Sequence, residues 1–222
     1  MSYARHGKRA LDLGLGITLL AVALPVMAMV ALAVLLALGW PVLHRDLRAG
    51  RGGAPFVMVK FRSMRPGPGE DIARLTRFGR ALRASGLDEL PQLFHVLSGR
   101  MSLVGPRPLP AAYTDHLGPG ARARLAVPPG LTGPVQAGGR NRLPWPDRFA
   151  RDAAYAANPS FLGDLAVLAR TPRALLRAGA SAPGHATSPA PFRAGGIKDA
   201  SRIQLSLATT SETMAPSRHN LG

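Results

Sequence analysis

The first third of the chain carries its longest apolar run. From Leu11 to Leu43 almost every residue is apolar, interrupted by Asp12 near the start, Pro25 near the middle and Gly39-Trp40-Pro41 near the end. As one straight helix these roughly 33 residues would extend about 50 Å, against a bilayer hydrocarbon core of about 30 Å. Two full antiparallel spans would need about 40 residues before any turn. Proline inside a helix removes a hydrogen bond and bends it, so the pattern predicts two arms of about 14 and 18 residues that meet at Leu24-Pro25 and return to one face. Arg5, Lys8 and Arg9 precede the run and Arg45, Arg48 and Arg51 follow it, which puts the cationic mark of the cytoplasmic side at both ends. A signal-peptide core of about 7 to 15 residues is half as long. A single tilted span is the simplest competing arrangement. Lys8 and Asp12, four residues apart, are expected to pair at the interface.

Further on the apolar pattern shortens and changes period. Arg48, Gly50, Arg51, Gly52 and Gly53 form a flexible basic loop, and Phe56-Val57-Met58-Val59-Lys60-Phe61 reads as a strand that puts Lys60 and Arg62 on one face. Pro66 to Gly69 is a loop. Ile72 to Leu82 is expected to be helical, with a basic stripe of Arg74, Arg77, Arg80 and Arg83. Leu87 to Leu97 reads as a short buried helix between Ser85-Gly86 and Ser98-Gly99, and Pro91 fits only its first turn. His95 on that helix is expected to be an interior or interfacial residue. Pro128 to Asn141 is a Gly-rich loop carrying Thr132, Gln136, Arg140 and Asn141. Ser160 to Arg177 is amphipathic, suited equally to lying in the headgroup layer or to packing in the core, and is split in two by Pro172.

From Ser181 the chain is rich in Ser, Ala, Thr and Pro without periodicity, as in a disordered tail. The expected organisation is an α+β, mostly helical chain. A membrane segment with its flanks occupies 1–44, a catalytic domain with interfacial helices occupies 45–180, and a disordered tail occupies 181–222.

Composition narrows the partners. A net charge of +16, carried almost entirely by arginine, requires an anionic partner. Aromatic residues make up only 5%, and no nucleic-acid module is present, so nucleic acid is disfavoured. Anionic lipid and a nucleotide diphosphate fit better. The absence of cysteine excludes disulfides and thiolate metal sites.

The densest chemistry lies in the middle. Asp88 and Glu89 stand at a helix start, where the macrodipole keeps carboxylates ionised and attracts phosphate. Pro106 and Pro108 fix the backbone around Arg107, whose fork matches two phosphate oxygens. Two carboxylates beside a rigid guanidinium suit phosphoryl chemistry with a divalent cation and an oxygen nucleophile. On residues alone, Ser85 and Asp88 capping an ordinary helix is a simpler account.

Several blocks together carry a resemblance. Leu87-Asp88-Glu89-Leu90-Pro91-Gln92-Leu93, Met101 to Pro108, Pro129-Gly130-Leu131-Thr132-Gly133 and Gly139-Arg140-Asn141, with Lys60 to Met64 and Arg77 to Arg80 upstream, resemble the bacterial sugar transferases, the monotopic polyprenyl-phosphate phosphoglycosyl transferases. The resemblance spans about residues 5 to 185 and implies a re-entrant helix broken at Pro25, where many members carry Ser-Pro in place of Leu24-Pro25. It implies transfer of a sugar-1-phosphate from a UDP-sugar to undecaprenyl phosphate, with UMP released, at the cytoplasmic face of the bacterial inner membrane, as the first membrane step of a surface glycan.

Asp88 would be the nucleophile, and Mg²⁺ or Mn²⁺ would sit on Glu89, Asp88 or both. Arg107, Lys60, Arg80, Gln136, Arg140 and Asn141 would contact substrate. Downstream glycosyltransferases and a homodimer are compatible with the resemblance. The competing function is a membrane-tethered basic protein that binds polyanions or anionic lipid without catalysis.

Overall fold

Leu, Ala and Met, which lose little freedom in a helical backbone, dominate the first helix, with four valines among them. In the computed structural model, which describes residues 3–68, 71–138 and 143–180, they form α1, Lys8–Leu38, entered through a π turn at Tyr3–Gly7. Its 31 residues make it about 46 Å long, and it is long and apolar enough to cross a membrane. The two arms expected around Leu24-Pro25 are one continuous helix with Pro25 inside it.

Both ends of α1 are fastened to the rest of the chain. At the N-terminal end the buried Lys8 ammonium lies 2.7 Å from Asp164, Arg9 donates to the Val96 and Leu97 carbonyls at 2.6 Å, and Asp12 accepts from Ser102 Oγ and the Leu103 N–H, both at 2.9 Å. Lys8 thus pairs with Asp164, and the expected Lys8–Asp12 pair does not form. At the other end Gly39 adopts φ 74° and closes onto the Leu35 carbonyl. Arg62 donates to the carbonyls of Leu38, Gly39 and Trp40, acceptors that a helix end leaves without internal partners. Arg62, expected beside Lys60 facing phosphate or headgroups, is instead buried as a seal on this helix end.

After α1, β1 (Leu43–Ala49) and β2 (Pro55–Phe61) form an antiparallel hairpin in register from Leu43↔Phe61 to Ala49↔Pro55. The helix expected over 72–82 is two pieces, α2 (Asp71–Arg74) and α3 (Arg77–Ser85). A bridge between Met64 and Leu75 pulls the chain out of helix, and Thr76 restarts it by accepting from the Gly79 N–H at 3.0 Å. A 3₁₀ turn at Leu87–Gln92 leads into α4 (Leu93–Leu97).

β3 (Ser102–Val104) pairs in parallel with β4 (Gly130–Thr132). A Cβ on Gly130 would lie 2.0 Å from the Gly105 nitrogen, so glycine lets these two segments meet. Between them run a 3₁₀ turn (Ala111–His116), α5 (Pro119–Arg122) and a second 3₁₀ turn (Ala123–Ala126). Then come α6 (Pro134–Ala137), α7 (Trp145–Ala157) and α8 (Phe161–Ala180). Pro172 does not split α8, which packs on both sides of it. Val167 and Leu168 enter the core, Leu175 comes within 3.2 Å of where a Gly86 Cβ would stand, and the Thr171 hydroxyl occupies the Val167 carbonyl. The stretch expected to be a tail, 181–222, lies outside the described residues.

Two apolar clusters hold the assembly, and α1 belongs to both. Ala23 joins Met58, Leu93, Val96, Met101, Leu103, Val104 and Val167; Val30 and Val34 join Phe61 and Leu82. The other side of α1 is open, with Ile17, Val22, Met29 and Leu36 all more than half exposed, and Trp40, Phe161 and Leu162 are exposed nearby. Apolar exposure on this scale marks a surface that meets lipid or another apolar partner.

Candidate active site

Gly86 ends α3 in the left-handed conformation, φ 74°, so the chain turns sharply into Leu87–Gln92. The acid pair sits in this tight 3₁₀ turn, one turn ahead of α4, instead of at the start of a regular α-helix. Asp88 is 5% exposed, while Glu89 keeps 17% of its side chain open. Burial, and then the adjacent Glu89 charge, push the Asp88 carboxyl up to about 6, against the opposing pull of Lys60, Arg83 and Arg107. Lys60 is half-buried on β2. Burial and then the charges of Arg83 and Arg48 lower its pKa, while Asp88 raises it.

Pro106-Arg107-Pro108 cannot be held by proline N–H groups, so it is held by its carbonyls. The Pro106 carbonyl accepts from Gly130 N–H (2.9 Å), Arg107 from Arg124 (2.7 Å), Pro108 from Arg48 (3.2 Å) and Leu109 from Ala49 N–H (2.9 Å). Four consecutive carbonyls are thereby fixed from three other parts of the fold. Arg124 is itself buried and donates through Nε and its terminal nitrogen to Asp152 Oδ2, at 3.1 and 2.7 Å. On this rigid loop the Arg107 side chain, 48% exposed, lies 3.0 Å from Glu89 and is held charged chiefly by it.

The structure therefore brings Asp88, Glu89, Arg107 and Lys60 together. Arg80 instead donates to the Leu75 carbonyl at 3.4 Å. Arg83, one turn further along α3 and fastened to Ser63 Oγ at 2.7 Å, is the arginine of that stripe whose charge acts on Asp88. The stripe was legible in the sequence, but its inward member is set by how Gly79 seats α3 against the Ser63 backbone, where a Cβ would lie 1.7 Å from the carbonyl oxygen. Gln136 is 3% exposed, and both of its amide atoms lack hydrogen-bond partners among the described residues. Arg140 and Asn141 lie outside the described residues. His95 is buried and accepts from the Val59 N–H at 3.1 Å, so it acts as a neutral structural acceptor, with its pKa lowered by burial.

Among the described residues no group of three or more His, Cys, Asp or Glu side chains could cage a metal. Mg²⁺ needs no such cage. It keeps several waters and is commonly bound by one or two carboxylates plus substrate phosphates, which suits an all-oxygen donor pair such as Asp88 and Glu89. Buried acid, accessible acid, fixed guanidinium and flanking cations form a site that can bind a diphosphate and offer it a poorly solvated oxygen nucleophile.

Residues 3–178 match a family model described as bacterial sugar transferase. The chain is 41% identical over 175 residues to an uncharacterized sugar transferase of Bacillus subtilis, covering 76% of this chain and 87% of the relative. It is also 41% identical over 185 residues to the UDP-glucose:undecaprenyl-phosphate glucose-1-phosphate transferase of Caulobacter vibrioides, covering 76% and 69%. Identity to the undecaprenyl-phosphate galactose phosphotransferase of Salmonella typhimurium is 34% over 197 residues, covering 78% of this chain and 41% of that one.

Proposed function

Because the chain belongs to the bacterial sugar transferase family, we propose that it transfers a sugar-1-phosphate from a UDP-sugar to a polyprenyl phosphate such as undecaprenyl phosphate, releasing UMP. The observation that carries this is the buried Asp88 carboxyl raised beside Glu89 under a rigid Arg107. Polyanion binding alone does not call for an acid at the centre of the cations.

In the proposed mechanism an Asp88 oxygen attacks the sugar-bearing phosphorus. The bond to UMP breaks, UMP leaves, and a sugar-phospho-aspartyl anhydride forms. An oxygen of the acceptor phosphate then attacks the same phosphorus, the bond to Asp88 breaks, and the carboxylate is restored with a sugar-diphospho-polyprenol as product. Arg107 binds diphosphate oxygens and stabilises the charge that gathers between carboxylate and phosphorus. Glu89, the more accessible acid, or Asp88 beside it, or both, would hold Mg²⁺ or Mn²⁺. The ion supplies neutralisation of the diphosphate charge when bound. Gln136, Arg140 and Asn141 are assigned to the nucleoside or sugar of the donor, and Arg80 to its outer approach.

The same proposal places the site at the cytoplasmic face of the inner membrane, with α1, helical throughout, bending at the internal Pro25 so that both its ends stay on that face. In support, both ends of α1 bond to the same folded unit, through Lys8, Arg9 and Asp12 at one end and Arg62 at the other. Attachment of both ends to one folded unit favours a return to the same face over a crossing. The open apolar side of α1 then faces acyl chains.

The direct test is UMP release from a panel of UDP-sugars with polyprenyl phosphate and Mg²⁺. Repeated turnover that depends on both lipid and cation is expected, with at most one UMP per protein from donor alone, and silence across the panel would favour polyanion binding. Since Asp88 must be ionised to attack, the rate of UMP release should fall as pH drops below about 6. Glu89→Gln removes one of the two causes of the raised pKa and should move that acidic limb to lower pH in whatever activity remains. Arg124→Lys keeps a cation beside Asp152 but loses the fork that also grips the Arg107 carbonyl. Turnover should drop roughly tenfold to hundredfold with little change in melting temperature, read by paired kinetics and calorimetry.

A further inference from the structure

A cavity of about 1170 Å³ opens beside the acid pair, between α1, the segment joining α1 to β1, the end of β2 and α4. Small-molecule sites typically occupy about 300 to 1,000 Å³, so this one has room for an extended ligand. Its walls differ in chemistry. α1 contributes Leu24, Met27, Ala28 and Ala31, and Trp40 and Phe94 add aromatic surface. β2, α2 and α3, with the loops beside them, contribute Lys60, Arg62, Arg65, Arg74 and Arg83, and no carboxylate is among the lining residues. An occupant matched to these walls is a long hydrocarbon ending in an anion.

Two details narrow the occupant. Leu24, Trp40 and Phe94 are each about half exposed or more, so the apolar end opens on the surface that carries the outer side of α1. Among the lining residues, Lys60 and Arg83 are also cations whose charge acts on Asp88, although Asp88 does not itself line the cavity. An anion held by that pair therefore sits next to the nucleophile.

Resting on the transferase function above, the geometry points to this cavity as the acceptor channel. The prenyl chain lies along Leu24, Met27, Ala28 and Ala31, and the terminal phosphate lies between Lys60 and Arg83. There its oxygen is placed to attack the phosphorus carried by Asp88, forming the P–O–P bond as the aspartyl oxygen leaves. A bulk phospholipid is a poorer match, because its ester-linked glycerol would meet only apolar side chains on the α1 wall.

The test uses the full chain in nanodiscs of phosphatidylethanolamine and phosphatidylglycerol, with a polyprenyl phosphate bearing a diazirine in its chain. Photolabel should concentrate on 24–31, Trp40 and Phe94, and unlabelled undecaprenyl phosphate should displace it while a tenfold excess of phosphatidylglycerol does not. Label spread over Ile17, Val22 and Leu36, or equal displacement by phosphatidylglycerol, would overturn the assignment.

A second measurement uses Ala28→Phe, an exposed α1 position that narrows the channel without disturbing the core. The acceptor KM should rise about tenfold, while the burst of UMP from donor alone stays within twofold. An unchanged acceptor KM, or equal loss in both steps, counts against the channel. Absence of UMP release from the unaltered protein would instead count against the transferase function, and the photolabel would still report on the cavity.

Discussion

Asp88→Asn should abolish UMP release, by roughly 10⁴-fold or more as expected for loss of a nucleophile, and at the same time make the protein harder to unfold at neutral pH. The second effect follows from the sign of the pKa shift. The Asp88 carboxyl is raised from 3.8 to about 6 by burial and by Glu89, so the folded chain binds this proton more tightly than the unfolded chain does. Its contribution to stability is fully present below about pH 4 and is lost as pH rises through 6. Above that the ionised acid opposes folding by on the order of 2 to 3 kcal/mol. Asparagine has the same shape and does not ionise, so calorimetry in EDTA should show a higher melting temperature for the variant at pH 7.5, with the gain shrinking towards pH 4. Normal turnover in the variant would remove Asp88 from the mechanism. A melting temperature unchanged at both pH values would mean that Asp88 is better solvated than its 5% exposure implies.

Asp164→Ala should be the most destabilising single change in the fold, by about 3 to 5 kcal/mol in urea or thermal unfolding, because it strands a buried ammonium. Asp164 is completely buried and accepts from Lys8 at 2.7 Å, Tyr3 at 2.6 Å and Tyr155 at 2.7 Å. The Tyr155 hydroxyl also lies 3.0 Å from the Val104 carbonyl. It has one proton, and the shorter contact to the charged acceptor claims it. Without the carboxylate, Lys8 loses its hydrogen-bonded counter-charge, keeps only the more distant Asp12, and the start of α1 loses its anchor on α8. A total stability of about 5 to 15 kcal/mol leaves little margin for such a loss. The double variant Lys8→Met/Asp164→Leu should recover much of it, since the apolar pair needs no desolvated charge. Equal instability of the single and double variants would mean that the carboxylate acts mainly through the tyrosines.

The features legible in the sequence were local ones. Asp88, Glu89 and Arg107 stand in contiguous blocks where proline and glycine fix the backbone, and their grouping was expected from those blocks. The apolar run at 11–43 announced α1 by composition alone. What the sequence concealed were contacts across long separations. Lys8 has an acid four residues away and takes one 156 residues away, because the tertiary pocket around Asp164 excludes water and the helix surface at Asp12 is claimed by Ser102 and Leu103. Arg62, Arg83 and Arg124 are three of many arginines, and nothing in their immediate neighbours marks one as a helix seal, one as a partner of Asp88 and one as the clamp on the Arg107 carbonyl. The break at Leu75-Thr76 carries only a weak signal, threonine being a favoured N-cap residue, while the basic stripe continues through it and suggests an unbroken helix.

The fastening of α1 at both ends also dictates an order of events during synthesis. Lys8 leaves the ribosome early, yet Asp164, which neutralises it, emerges only after nearly all of the described chain has been made, and Arg62 and Ser102 come in between. A nascent chain halted before residue 164 already holds the apolar surface of Met58, Leu93, Val96 and Leu103 on which the oily helix packs, but not the carboxylate that fixes its root. The greasy segment is therefore translated before the domain that seats it, and its root is the last part to be fastened.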